Sequence, residues 1–255
     1  EGGRVLRLLR TAPEGDPIGL ERTATEAART AGVRVPELAE EVEIEGRPGL
    51  VMERLEGSDL LTQIGSRPWT VVRTGKVTGR LHAGINSAPA PPVLPSGKDA
   101  LGAAIDLLSD ELGALGPPVR DVLAGLPDGG ALCHGDFHPG QVMMSRGEPV
   151  VIDWTNTVRG DPLGDHARTL VLLRLGELPP GAPWPLVQLA KVARSLLLRS
   201  YESAYRETFR GEVDAGRLRR WEAVILAARL GERIPGEEDR ILRALRATLA
   251  EVRGS

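Results

Sequence analysis

Hydrophobic and polar positions change period several times along the chain. RVLRLL (4–9) reads as a buried strand, and IGLERTATEAARTAG (18–32) carries apolar and small residues at helical spacing, closed by Gly32. EEVEIEGRPGLVMERLEG (40–57) reads as two strands around a Gly-Arg-Pro-Gly turn. After Gly57 helices dominate: an amphipathic TVVRTGKVTGRLHAGI (70–85), a Pro-rich loop (89–97), then helices over 98–112 and 117–126. The segment from 131 breaks this rhythm with short strands ALC, QVMMS and PVVIDW around a turn at Arg146-Gly147. Helical pattern then resumes in GDPLGDHARTLVLLRL and, from Trp184, runs through three further segments. The layout is α+β, with a small first lobe (1–55) of strand, helix and hairpin and a larger, mainly helical second lobe (56–255).

Composition narrows the function classes. With 41% hydrophobic and 26% charged residues in 255, the chain is an ordinary globular protein able to bury a large core. A formal net charge of −3 gives no footprint for nucleic acid or a membrane surface. No apolar run approaches the ~20 residues that span a bilayer, so the default location is cytoplasmic. A single cysteine, Cys133, excludes an intramolecular disulfide and a Cys-rich zinc site, and its place in an apolar strand reads as core.

Candidate chemistry concentrates in ALCHGDFHPGQVMMSRGEPVVIDWTNTVRGDPLGDHART (131–169), which holds three of the four histidines. A hairpin between QVMMS and PVVIDW returns Asp153 near Gln141 and brings it toward the loop that carries Asp136. Two carboxylates and an amide are hard oxygen donors of the kind magnesium prefers. A loop aspartate beside them can take a proton from an attacking hydroxyl. The His134/His138 pair sits on a Gly/Pro loop without the helical spacing of zinc hydrolases, and no G-x-S-x-G is present.

HGDFHPGQ followed by VIDW resembles the paired motifs of the aminoglycoside phosphotransferase and choline kinase-like family. VMERLEG (51–57) is similar to that family's interlobe linker, and GRLHAGI (79–85) to its Leu-His helix. The resemblance implies a two-lobed protein-kinase-like fold and transfer of the γ-phosphate of ATP or GTP to a hydroxyl of a small molecule. It implies Asp136 as catalytic base and Asp153 as principal Mg²⁺ ligand, with Gln141 where the family has a second metal-binding Asn. It implies that the backbone of Met52, Glu53, Arg54 and Leu55 holds the purine. Arg7 stands where the family has its phosphate-gripping lysine, with Glu21 as its helix partner and Glu26 as the fallback. The expected partners are nucleotide and acceptor, for a monomer or homodimer.

Three departures bear on catalysis. Arginine's planar fork is a poor geometric substitute for a compact ammonium. Gln141 carries its amide oxygen about 1.5 Å further out than Asn does. The strand–glycine loop–strand that covers the phosphates would lie upstream of Arg7, where only EGGR stands. The sequence opens without methionine, so the expectation is a fragment rather than a lost lid. These departures motivate an alternative, a catalytically weak nucleotide-binding regulatory pseudokinase. His134 and His138 are expected to be scaffolding, His82 a satisfied packing residue, and Asp161 and Asp165 loop-ordering groups. Trp184 and Trp221 are candidates for lining an acceptor pocket.

Overall fold

A computed structural model describes residues 3–9, 15–176 and 184–254, the side chains of residues 184–186 excepted. Gly2 and the Trp184 side chain lie outside the described residues.

The first part is a three-stranded antiparallel sheet of order β1-β3-β2, with β1 at Arg4–Leu8, β2 at Leu38–Ile44 and β3 at Arg47–Glu53, and with helix α1 (Pro17–Thr30) between β1 and β2 in sequence. Asp16 caps α1 by accepting from the Gly19 N–H at 2.8 Å, ahead of a proline at the first position. Two expectations are corrected here. β1 is an edge strand rather than a buried one, with Val5 44% and Leu6 40% exposed. The β2–β3 turn sits at Glu45-Gly46, one step before the Gly-Arg-Pro-Gly run, because both residues take positive φ (53° and 71°), as a type I′ hairpin requires.

The chain then passes into helices α2 (Leu60–Ser66), α3 (Val71–Asn86), α4 (Gly97–Leu107), α5 (Ser109–Leu112) and α6 (Gly116–Ala124). The single helix expected over 98–112 is broken at Leu108, whose N–H donates to the carbonyl three residues back, on Ile105, tightening the turn. At the entry to α2, Gly57 has φ 124°, and a Cβ there would lie 2.1 Å from the Met144 carbonyl oxygen, so no other residue fits.

Strands β4 (Ala131–Cys133), β5 (Val142–Ser145), β6 (Glu148–Val151) and β7 (Val158–Gly160) form two small antiparallel pairs, β4-β7 and β5-β6. Helices α7 (Pro162–Leu175), α8 (Trp184–Thr208), α9 (Ala215–Arg229) and α10 (Glu238–Gly254) complete the helical part. Its core joins Leu163 and Leu170 of α7, Tyr201 and Tyr205 of α8, Trp221 and Val224 of α9 and Leu245 of α10. Fully burying each large side chain of this kind is worth roughly 1.5–3 kcal/mol. A second cluster joins α1 and the segment after it to the β4–β7 region, with Ala24, Ala28, Val33 and Val35 in one cluster with Leu132, Phe137, Val151 and Trp154. The Val151 N–H also donates to the Arg34 carbonyl at 2.9 Å. The first part is thereby seated on the loop segment that carries the candidate chemistry.

Candidate active site

The β5-β6 hairpin turns at Arg146-Gly147, both at positive φ (52° and 84°), which fixes Val142 opposite Val151. One further ladder bond, Ile152 N–H to the Gln141 carbonyl at 3.0 Å, brings the end of the hairpin back to its start. Asp153 then leaves the strand in the left-handed region (φ 60°, ψ 71°), a conformation that costs energy for a residue with a Cβ and turns its side chain out of the ladder. One Asp153 carboxylate oxygen accepts from the Thr155 hydroxyl, and the other has no hydrogen bond to a described residue. The half-buried Gln141 side chain likewise makes none among the described residues.

His134 joins this hairpin to the loop carrying Asp136. Fully buried, its Nε2–H donates to the Ile152 carbonyl at 3.1 Å while Nδ1 accepts the Asp136 N–H at 3.4 Å. Burial, the largest effect, lowers its pKa despite the nearby Asp165 carboxylate, so the ring is neutral at pH 7 and these bonds select its tautomer. One imidazole therefore spans the backbone of residue 136 and the residue that precedes Asp153. Its neighbour Gly135 has φ 80°, and a Cβ there would lie 2.0 Å from the Asn156 carbonyl oxygen.

Asp165 clamps the same loop from α7. Its oxygens accept from His134 N–H (2.8 Å), Gly135 N–H (2.9 Å), His82 Nε2–H (2.9 Å) and Asn86 Nδ2–H (2.9 Å). Burial would raise this carboxyl, but His82 and Asn86 outweigh it and hold the pKa well below the carboxylate range. Behind His82, the Tyr201 hydroxyl donates to Nδ1 at 2.7 Å and accepts from His166 Nδ1–H at 2.9 Å, while the buried His166 Nε2 has no partner among the described residues. Asp161 caps α7, accepting from Leu163 N–H at 3.0 Å, and also accepts from Trp221 Nε1–H at 2.7 Å.

The Asp136 carboxylate meets Arg168 Nη2 at 3.1 Å, and Arg168 Nη1 is 2.9 Å from Glu232. His138 accepts the Gly140 N–H and holds the turn at Pro139–Gln141. Burial, its largest influence, lowers the His138 pKa, while Asp136, Asp59 and Asp153 pull the other way, so this one ring senses both candidate carboxylates.

The structure pairs Arg7 with Glu21 through Nη1 and Oε1, whereas Glu26 faces solvent. Burial raises the Glu21 pKa, Arg7 opposes it, and Asp153 adds to it, so this pair and the hairpin carboxylate lie within electrostatic reach. In the linker the expected purine contacts narrow. The Glu53 N–H already donates to Glu37 and the Arg54 N–H to Gly3, and Met52 is paired inside the sheet. Among the described residues the Leu55 N–H has no backbone hydrogen bond outside helices and strands.

A cavity of about 350 Å³ opens beside this centre, lined by Gly135, Thr155, Asn156 and Arg168 and by Lys98, Leu101 and Trp221. Trp221 thus lines a pocket. Arg168 and Asn86 escaped the sequence reading. Each lies one helical turn from a residue it serves with, Arg168 at i+3 from Asp165 and Asn86 at i+4 from His82. That spacing was the only signal, and packing residues share it. Among the described residues no cluster of three or more His, Cys, Asp or Glu side chains is arranged to hold a metal, which does not match a zinc centre. Asp153 and Gln141, with free hard oxygens, match a cation that takes most of its ligands from water and phosphate.

No curated protein sequence matches the chain. Among solved structures, a thermostable mutant of aminoglycoside phosphotransferase APH(4)-Ia, in ternary complex with ADP and hygromycin B, superposes with a TM-score of 0.62 at 18% identity, covering 98% of this chain and 86% of that one. A choline/ethanolamine kinase family protein from Mesorhizobium loti gives 0.59 at 18% identity, covering 100% and 88%. The amicoumacin kinase hAmiN, in complex with AMP-PNP, Ca²⁺ and Ami, gives 0.61 at 14%, covering 98% and 82%. These likenesses establish the protein-kinase-like fold, and no described helix is long and apolar enough to cross a membrane. The model of the phosphotransferase enzyme family matches residues 1–185, and the chain belongs to that family.

Proposed function

We propose that the protein transfers the γ-phosphoryl group of ATP or GTP to a hydroxyl of a small molecule, with residues 1–55 as nucleotide lobe and 56–255 as catalytic and acceptor lobe. The observation that carries the reading is the His134 imidazole, bonded at one end to the amide of Asp136 and at the other to the residue before Asp153. In this reading Asp136, oriented by Arg168, accepts the proton as the acceptor oxygen forms its bond to the γ-phosphorus. The bond from that phosphorus to the β–γ bridging oxygen breaks, and the nucleoside diphosphate leaves with its electrons. Proton removal of this kind is worth about 10²–10⁴-fold, while positioning supplies most of the rest.

Asp153 and Gln141 would hold Mg²⁺, whose charge neutralises the triphosphate oxygens. Arg7, kept in place by Glu21, would meet the phosphates, and the Leu55 N–H with linker carbonyls would hold the purine. A cytoplasmic monomer or homodimer is consistent with this chemistry.

The test is transfer of labelled phosphate from ATP and GTP, with magnesium, to a panel of amino-sugars, choline-like alcohols and macrolides. The reading requires transfer by the wild type and its loss in Asp136→Ala. Equal transfer by both proteins would overturn it. A second reading, a regulatory pseudokinase, is favoured by one feature: Arg7 presents a fork where the family uses an ammonium. Mg-nucleotide stabilisation without turnover, even in Arg7→Lys, would decide for it.

A further inference from the structure

The cavity beside the catalytic loop is lined by residues that adjoin or bond both halves of the proposed centre, though Asp136 and Asp153 themselves are not in its walls. Gly135 adjoins Asp136, Arg168 holds Asp136, and Thr155 bonds Asp153. An acceptor bound there would present a hydroxyl to the base, so the chemistry of its walls selects the acceptor.

Every ionisable group in those walls is already engaged. Asp165 accepts four hydrogen bonds, and Asp161 accepts from Leu163 N–H and Trp221 Nε1–H with Arg217 3.5 Å away. Both carboxylates are also buried, at 5% and 3% exposure. Arg168 is shared between Asp136 and Glu232. The Lys98 ammonium donates to the carbonyls of Ala124 and Leu126, and burial pushes the Cys133 thiol up, keeping it neutral. The remaining walls are mostly apolar, with Pro95, Leu101, Val158 and Ile225; the Thr155 and Thr157 hydroxyls donate to Asp153 and to the Trp154 carbonyl, and Asn156 offers an amide with no hydrogen bond to a described residue.

A polycation entering this cavity would shed water and find no unpaired carboxylate among the residues that line it, Asp161 and Asp165 both being bonded. An uncharged body would gain from burying its apolar surface and could still bond to Asn156. The geometry points to an uncharged, partly apolar alcohol as the acceptor class, rather than an amino-sugar or other polyamine. This rests on the kinase reading above for the role of the cavity.

The test is binding, measured by calorimetry on the full chain with magnesium and AMP-PNP present. The probes are aryl glycosides, alkyl glycosides and aryl diols, each beside a counterpart in which one or two hydroxyls are replaced by amines. The expected result is that at least one uncharged probe binds about tenfold tighter than its amine counterpart, a difference of about 1.4 kcal/mol. Ala100→Glu places a new carboxylate on an exposed lining position of the cavity and should improve binding of the amines about fivefold. Tighter binding of the amines to the wild type, no uncharged probe binding at millimolar concentration, or an Ala100→Glu variant with unchanged preference would each overturn the inference. Binding of the uncharged probe without phosphate transfer would support the pocket's chemistry while counting against the kinase reading.

Discussion

Replacing Asp165 by Asn tests how the loop carrying Asp136 is held. The wild-type carboxylate takes four buried donors, two from the loop backbone at His134 and Gly135 and two from His82 and Asn86 on α3. An amide keeps one acceptor oxygen and turns two N–H bonds toward groups that are themselves donors. At least one or two buried donors then lose their partner, at about 1–3 kcal/mol each, and the lost charge weakens the others. The expected loss is about 3–5 kcal/mol, the scale of breaking a buried charged network. For a chain of this size that lowers the melting temperature by roughly 6–20 °C. The pH dependence has a definite sign. The folded-state pKa of Asp165 is depressed, so its contribution is complete above the unfolded carboxylate value, about 4, and fades as pH falls toward the folded value. Thermal melts of wild type and Asp165→Asn from pH 3 to 9 should therefore stay separated above pH 5 and converge in acid. A variant melting within 2 °C of wild type at pH 7, with the same transfer rate, would refute the clamp.

Further perturbations bear on neighbouring parts. Arg7→Ala strips the buried Glu21 of its ion-pair partner and raises its already elevated pKa further, so stability should fall more steeply than in wild type as pH rises above the ordinary carboxylate range, and parallel melting profiles would contradict this. Gly135→Ala forces a Cβ against the Asn156 carbonyl at positive φ, and a loss of roughly 2–4 kcal/mol in urea unfolding is expected, with unchanged stability as the failing result. Gln141→Ala should raise the magnesium concentration needed for half-maximal transfer several-fold while leaving the melting temperature within 2 °C, because its side chain supports nothing else among the described residues.

Much of the architecture was readable because local chemistry specified it. The Arg146-Gly147 turn and the amphipathic stripe of α3 are written in neighbouring residues, and the structure places them where the pattern did. The short α2 and the three-residue β7 were not anticipated. β7 pairs with β4, more than twenty residues earlier, and a three-residue strand has too few positions to show a period. β1 read as buried because its apolar content cannot distinguish an edge strand from a central one. The candidate site divides the same way. Asp136, Gln141 and Asp153 announce themselves through their turns, whereas the Arg168–Asp136 pair joins residues thirty-two apart and depends on how α7 docks.

Metal binding and phosphate transfer, measured separately in Asp153→Ala and Asp136→Ala, test the proposed division of labour most directly. In a Mn²⁺ titration followed by electron paramagnetic resonance with AMP-PNP present, Asp153→Ala should bind the ion at least about tenfold more weakly. Asp136→Ala should bind it nearly as wild type does, yet transfer phosphate at least 10²-fold more slowly. Undiminished Mn²⁺ affinity in the first variant, or undiminished transfer in the second, would contradict the assignment of these two carboxylates.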